Sequence, residues 1–234
     1  MPLSPRDRLI VALDVPTTRD AERLVGTLGD TVSFYKVGLE LTYAGGLEFA
    51  RDLVKSGKQV FLDLKLHDIP NTVQRATEQI ADLGMTFLTI HAFPQTMKAA
   101  MAGKTGSDLK LLAVTVMTSY DNQDLIDAGY NKSVNELVKM RALAADRIGI
   151  DGLILSPEEV FAMRALLGPG MTLITPGIRP ASTAIGDQKR IMTPLKAIIA
   201  GADRLVIGRP VTQSPDPKAA AEAILTEIQT AKHT

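Results

Sequence analysis

Cysteine and net charge are both missing from this sequence of 234 residues. Without cysteine, the chain can form neither a disulfide bond nor a thiolate metal site. Lysine and arginine together number 26, the same as aspartate and glutamate, so no overall field draws the chain to nucleic acid or to an anionic membrane. Any anion site must therefore be local, and we expect the partner to be a small molecule.

Long apolar runs and targeting patterns are missing as well. No run approaches the ~18 residues that a membrane helix requires, and the first residues lack the charged-then-apolar pattern of a signal peptide. We therefore expect no membrane contact and a place in the cytoplasm. Hydrophobic residues make up 45% and charged residues 22%, which is ordinary for a globular protein. Because no shift in composition marks a linker, we expect one domain over residues 1–234.

Eight short apolar segments, rich in strand-forming residues, recur along the chain. Segments with helical spacing lie between them, for example RDAERLVGTLG at residues 19–29 and NELVKMRALAADRIG at residues 135–149. Glycines such as Gly29 and Gly149 end these helical segments, where a left-handed C-cap is expected. The predicted strands are residues 9–15, 33–39, 59–66, 86–92, 110–119, 151–157, 172–178 and 204–210.

This alternation predicts an α/β fold, a closed (β/α)8 TIM barrel. Near-continuous apolar strands indicate a parallel sheet covered by helices, and eight such units fit the roughly 250 residues typical of the barrel. The alternative is an open doubly wound sheet. That fold commonly carries G-x-G-x-x-G in its first turn, and neither this motif nor G-x-x-x-x-G-K-[ST] occurs here.

Polar residues gather at the predicted carboxyl ends of the strands, the edge where such barrels place their active sites. In FLDLKLHDIPNT, residues 61–72, strand alternation puts Asp63 and Lys65 on one face and three leucines on the other. Two lysines and three aspartates at neighbouring strand ends must be mutually paired or functional, because isolated buried charges are costly. The candidates are Asp14, Lys36, Asp63, Lys65 and Asp68, followed by His91, Thr118, Arg179, Gly208 and Arg209.

Some candidates also have a structural interpretation. Asp14 alone is typical of a turn or N-cap residue, His91 of a hydrogen-bonded structural residue, and Arg209 of a surface cation paired with a carboxylate. Residues 179–192, RPASTAIGDQKRIM, have no apolar period and predict a mobile lid after the seventh strand. Beside it, Gly208 and Arg209 follow the eighth strand, where such barrels often bind phosphate, so we expect a phosphorylated substrate.

The motif LDLKLHDIPNTV, with D-x-K-x-x-D spacing followed by I-P-N-T, resembles that of the orotidine 5′-phosphate decarboxylase family. ALDV, YKVG, VTVMTS, TPGIRP, GDQKR and VIGRP stand in the order which that family has, so the resemblance spans nearly the whole chain. It implies conversion of orotidine 5′-phosphate to uridine 5′-phosphate and carbon dioxide, the last step of pyrimidine nucleotide synthesis. It also implies that no cofactor or metal ion takes part.

The resemblance assigns roles to individual residues. Lys65 would give a proton to the carbon that loses carbon dioxide, and Asp63 would lie against the departing carboxylate. Lys36 and Asp68 would complete a Lys-Asp-Lys-Asp array, with Asp68 and Thr72 coming from the partner subunit of a homodimer. The implied substrate-binding residues are Asp14 and Lys36 at the ribose, Asp63 and Thr72, Thr118 in the pocket wall, and Arg179, Gln188, Gly208 and Arg209 at the base and phosphate.

Two other functions remain open. A related barrel enzyme acting on sugar phosphates, as a decarboxylase or aldolase, would use Mg²⁺ to stabilise an enediolate. Such relatives carry an acidic metal ligand where this chain has Lys36, and a lysine repels a divalent cation. A nucleotide-binding regulatory barrel would have no use for a full array of lysines and aspartates. Both considerations favour the metal-free decarboxylation.

Overall fold

The computed structural model of the chain describes residues 3–180 and 192–231. Eight parallel strands pair in chain order and β8 closes on β1, which confirms the predicted (β/α)8 barrel. The strands are β1 (Leu9–Ala12), β2 (Phe34–Gly38), β3 (Gln59–Leu66), β4 (Phe87–His91), β5 (Lys110–Val114), β6 (Gly152–Ile154), β7 (Thr172–Thr175) and β8 (Arg204–Ile207).

Helices cover the outside of the barrel and connect each strand to the next. None within the described ranges is long and apolar enough to cross a membrane. A π-helical turn, Thr42–Gly46, joins α3 to α4. The α-helices are α1 (Pro5–Arg8), α2 (Thr18–Leu28), α3 (Leu39–Leu41), α4 (Leu47–Lys55), α5 (Pro70–Ala81), α6 (Pro94–Gly103), α7 (Asn122–Asp127), α8 (Val134–Ile148), α9 (Val160–Leu167), α10 (Pro194–Ile199), α11 (Arg209–Thr212) and α12 (Pro217–Thr230).

Local sequence signals set the helix ends. At the start of α8, the Ser133 hydroxyl accepts the Glu136 N–H and the Glu136 carboxylate accepts the Ser133 N–H, which is a capping box. Gly149 ends α8 with φ 85° and ψ 28°, the left-handed conformation that glycine adopts without steric cost. Gly29 also has a positive φ of 51°, but its ψ of −127° makes the prediction of a left-handed cap there wrong.

The apolar core has an outer and an inner layer. The outer layer packs the strands against the helices, and Leu62 is buried in it with Leu64 and Leu66 packed against it. The inner layer, here called the barrel floor, fills the barrel interior with the side chains that point away from the helices. The floor residues are Ile10, Ala12, Phe34, Phe61, Phe87, Leu112, Val114, Ile154, Ile174 and Val206.

Aromatic rings and one arginine close the amino-terminal end of the barrel floor. Phe34 stacks on Phe87 with 5.3 Å between ring centroids, and Phe61 meets Phe87 edge-on at 6.0 Å. Arg204, the first residue of β8, lies over Phe34 and Phe87 at 5.1 and 5.4 Å. It also donates a hydrogen bond to the carbonyl of Asp7 in α1. The amino-terminal end of the barrel interior is therefore filled by side chains, and the charged residues of the cavity lie at the carboxyl-terminal end.

Candidate active site

A cavity of about 530 Å³ lies at the carboxyl ends of the strands. The apolar part of its lining includes residues of the barrel floor, and the polar part includes charged side chains. The barrel-floor residues that line it include Phe61, Val114, Ile154 and Val206. The position is the one expected for the active site of a barrel. The sequence-predicted residues that the structure brings together here are Asp14, Lys36, Asp63, Lys65, Thr118, Arg179, Gly208 and Arg209.

Two lysines on neighbouring strands share one aspartate. Lys65 Nζ lies 2.8 Å from Asp63 Oδ1, and Lys36 Nζ lies 3.3 Å from Asp63 Oδ2. Lys36 Nζ also lies 2.9 Å from Asp14 Oδ1. The four side chains thus form one row of alternating charge, here called the charged array. Asp14 is part of this array and is not an N-cap, because Thr17 caps α2.

Burial and pairing compete in setting the protonation states of the charged array. Burial lowers the pKa of Lys36, but the carboxylates of Asp63 and Asp14 outweigh it, so the pKa ends above its ordinary value. Burial likewise raises the pKa of Asp63, yet Lys36, Lys65 and the Thr89 hydroxyl together hold it below its ordinary value. Lys36 and Asp63 are therefore both ionised at neutral pH, as a desolvated but mutually paired array requires.

Lys65 has an unusual backbone conformation. Its φ of 50° is the only positive value at a non-glycine residue in the described part of the chain. The β3–β4 register shifts at this point, since β3 advances four residues from Leu62 to Leu66 while β4 advances two, from Leu88 to Ile90. Such a bulge re-aims the side chains of the strand that carries it. The left-handed conformation costs a residue with a Cβ atom about 1–2 kcal/mol, which the surrounding contacts must offset.

The late strands supply two guanidinium groups to the cavity. Arg179 follows β7, is 8% exposed, and donates to the carbonyl of Ile178 at 2.9 Å. Arg209 follows β8 and Gly208, begins α11, and is exposed at the cavity rim. Planar guanidinium groups bind carboxylates and phosphates well because they offer paired N–H donors. This side of the cavity therefore suits an anionic group.

Gly38 and Gln213 are among the residues of the site that were missed in the sequence. A Cβ atom added at Gly38 would lie 3.0 Å from Lys36 Nζ and 3.2 Å from Asp14 Oδ1, so glycine at this position leaves room for the ion pair. The motif YKVG contains it, but only the three-dimensional contact reveals the reason. Gln213 lines the cavity from the end of α11, a four-residue helix without any motif of its own.

Two of the residues to which the resemblance assigns roles lie outside the cavity lining of their own chain. Asp68 and Thr72 are both exposed and do not belong to the cavity lining of their own chain. Asp68 Oδ1 accepts the N–H of Ile69 at 2.6 Å, just before α5 begins. Gln188 lies outside the described residues, as does most of the predicted lid, residues 181–191. The entry of Asp68 and Thr72 into a partner's site stays a prediction.

His91 belongs to an aromatic cluster beside the cavity. Its half-buried ring lies 5.6 Å from that of His67 and 6.4 Å from that of Phe93, centroid to centroid. Burial, and then the electrostatic influence of His67, Arg141 and Lys65, lower the pKa of His91, so its imidazole is neutral at neutral pH. Since His91 does not line the cavity, its ring contacts favour the structural interpretation.

Comparison with known proteins places this geometry in a family. Residues 7–224 match the family model described as orotidine 5′-phosphate decarboxylase / HUMPS family. A protein named orotidine 5′-phosphate decarboxylase from Bradyrhizobium sp. (strain ORS 278) is 66% identical over 98% of this chain and 94% of its own length. Another protein of that name, from Rhodopseudomonas palustris, is 62% identical over 97% of this chain and 96% of its own length. The crystal structure of orotidine 5′-phosphate decarboxylase from Lactobacillus acidophilus is similar with a TM-score of 0.82 and 39% identity, covering 94% of this chain and 98% of that chain. This chain belongs to the orotidine 5′-phosphate decarboxylase / HUMPS family.

Proposed function

We propose that this chain converts orotidine 5′-phosphate to uridine 5′-phosphate and carbon dioxide in pyrimidine biosynthesis. In this proposal it is a single catalytic domain over residues 1–234, acts in the cytoplasm as a homodimer, and uses neither a metal ion nor a cofactor. Relatives of 60–66% identity that carry the decarboxylase name support the reaction. The observation that carries the proposal is the charged array within a cavity whose other side offers guanidinium groups.

Lys65 is the proton donor in this mechanism. The bond between the pyrimidine ring and its carboxylate breaks, carbon dioxide leaves, and the bonding electron pair stays on the ring carbon. The Lys65 ammonium stabilises this carbanion and then transfers one proton to it, which leaves a neutral amine. A fixed cation needs no reorganisation at the moment of reaction, and the ion pair with Asp63 keeps Lys65 fixed.

Asp63 orients the proton donor. Its two oxygens contact Lys65 and Lys36 separately, so neither ammonium can turn away without losing an ion pair. Repulsion between Asp63 and the substrate carboxylate is a second conceivable contribution, but ground-state destabilisation is contested as a source of rate. The observed contacts support the orienting role, and we assign Asp63 that role.

The remaining residues named by the resemblance bind the nucleotide in this proposal. Asp14 and Lys36 contact the ribose hydroxyls, Thr118 lines the pocket, and Arg179, Gln188, Gly208 and Arg209 hold the base and phosphate. The phosphate is remote from the reacting carbon, so its binding energy can position the pyrimidine ring without itself taking part in bond breaking. Arg209 is exposed and lines the cavity at its rim, which supports its role at the phosphate.

A magnesium-dependent reaction on a sugar phosphate fits this cavity less well. The Lys36 ammonium occupies the space between the Asp14 and Asp63 carboxylates, the two groups that a divalent cation would otherwise bridge. Expelling that ammonium would leave a buried lysine without its partners, which is costly. The arrangement of donors therefore favours the decarboxylation that needs no metal.

Turnover of orotidine 5′-phosphate tests the proposed function. The purified chain should lower the ultraviolet absorbance at wavelengths where orotidine 5′-phosphate absorbs more than uridine 5′-phosphate, and release carbon dioxide, at the same rate with and without EDTA. Sugar phosphates of the related barrel enzymes serve as control substrates. A chain that leaves orotidine 5′-phosphate unchanged, or that EDTA inactivates, would contradict the proposal.

Complementation tests the shared site of the homodimer. Asp68 is exposed, accepts the N–H of Ile69 just before α5, and does not line the cavity of its own chain, which supports a role in the partner's site. Lys65→Ala and Asp68→Ala homodimers should each be nearly inactive. A heterodimer of the two has one site with both lesions and one with neither, so random reassortment of equal amounts leaves roughly one quarter of all sites intact. Mixed samples with verified heterodimers but no restored activity would place Asp68 in its own subunit's site.

A further inference from the structure

Thr89 connects the backbone of Lys65 to the side chain of Asp63. It lies in the middle of β4 and is fully buried, with 0% of its surface exposed. Its hydroxyl accepts the backbone N–H of Lys65 at 3.0 Å and donates to Asp63 Oδ1 at 2.9 Å. Because an amide N–H only donates and a carboxylate only accepts, these two directions are the sole consistent assignment.

We propose that the Thr89 hydroxyl is the positioning group that holds Lys65 in its left-handed backbone and aims its ammonium. The role of Thr89 in catalysis rests on the proposed function, because the Thr89 hydroxyl would act on the reaction only through Lys65. The bulge removes Lys65 from the regular ladder between β3 and β4, so its amide needs another acceptor. The Thr89 side chain supplies that acceptor from the strand that the ladder would have used.

The contacts form a closed loop that begins and ends at Lys65. From the backbone N–H the loop passes to the Thr89 hydroxyl, then to Asp63 Oδ1, and returns to Lys65 Nζ at 2.8 Å. The backbone end of the lysine is therefore tied to Thr89 and its ammonium end to Asp63, and these two residues are bonded to each other. Neither a rotation of the Asp63 carboxylate nor a relaxation of the Lys65 backbone can occur without breaking a hydrogen bond of this loop. Such a loop fixes the donor against the reacting carbon, where small displacements reduce the rate strongly.

The test compares two substitutions at Thr89 with one matched control. Thr89→Val keeps the shape and removes the hydroxyl, whereas Thr89→Ser keeps the hydroxyl. Thr175→Val is the control, because Thr175 is another fully buried strand threonine, whose hydroxyl donates to the carbonyl of Leu155 at 2.6 Å and not to the charged array. We expect Thr89→Val to lower kcat about 100-fold with KM changed less than about threefold, and Thr89→Ser and Thr175→Val to stay within about threefold of the parent kcat.

The results separate a positioning role from a structural one. Equal kcat in Thr89→Val and the parent, equal losses in Thr89→Val and Thr89→Ser, or an effect confined to KM would each overturn the proposal. If the parent chain itself fails to turn over orotidine 5′-phosphate, the proposed function fails and crystal structures of the variants decide the positioning role instead. In those structures Lys65 should leave the left-handed region in Thr89→Val and remain there in Thr89→Ser, and an unchanged Lys65 in both would overturn it.

Discussion

Replacement of Lys65 by alanine should abolish nearly all turnover while the barrel stays folded. An ammonium about 4 Å from a developing negative charge contributes about 4 kcal/mol at an effective dielectric constant of about 20, which is about 10³ in rate. Loss of the proton donor removes a further factor of about 10²–10⁴. The side chain is 25% exposed, so some water can take the place of the ammonium. With the lower of the two donor factors, we expect kcat to fall about 10⁵-fold.

The assay follows absorbance loss of orotidine 5′-phosphate at saturating substrate, with circular dichroism as the check on folding. Lys104→Ala is the matched control, because Lys104 forms a similarly buried ion pair with Asp151 near the amino-terminal end of the barrel, outside the cavity. That control should lose stability and keep kcat within about twofold. A folded Lys65→Ala variant with kcat near that of the parent would refute the assignment of Lys65 as cation and proton donor.

Two further predictions concern the phosphate and the pH dependence of stability. Arg209→Ala should lower kcat/KM for orotidine 5′-phosphate and barely change the activity on orotidine, because only the phosphate meets the guanidinium; equal losses on both substrates would remove Arg209 from the phosphate site. The folded-state pKa of Asp63 lies below its ordinary 3.8, so its carboxylate stabilises the fold above the unfolded-state pKa, and this contribution is lost as the pH falls through the folded-state pKa. In urea titrations, the stability difference between the parent and Asp63→Asn should therefore shrink as the pH falls below about 4, and a constant difference would contradict the pairing.

The barrel and the residues of its charged array could be predicted because they depend on repeating patterns. Strand β3 has the predicted bounds, residues 59–66, since its apolar face and its flanking glycine and proline leave little choice. The predicted fifth strand, residues 110–119, is too long, and β5 ends at Val114. The following residues Met117, Thr118 and Ser119 line the cavity, where the chain leaves the ladder although its sequence remains apolar and β-branched.

The bulge at Lys65 could not be predicted from the sequence. Strand alternation assumes a regular strand, and it predicts that Asp63 and Lys65 lie on the cavity side, as they do. Alternation by itself does not reveal a bulge between them and β4. The sequence also gave no reason to single out Thr89, because a threonine inside an apolar strand is ordinary. The importance of Thr89 depends on a contact between two strands, because Thr89 lies 24 residues from Lys65 along the chain.

The barrel floor determines where the proton of Lys65 comes from after each reaction. Under the proposed chemistry every turnover leaves Lys65 as a neutral amine, which must regain a proton before the next substrate reacts. Phe34, Phe61 and Phe87 are at most 2% exposed and fill the interior below the array, so the described residues close the approach to Lys65 from that end. Reprotonation then uses the cavity mouth, through which nucleotide and carbon dioxide also pass. Recharging of the catalytic lysine is therefore coupled to emptying of the cavity, and the uptake of a solvent proton becomes a step of the product-release phase.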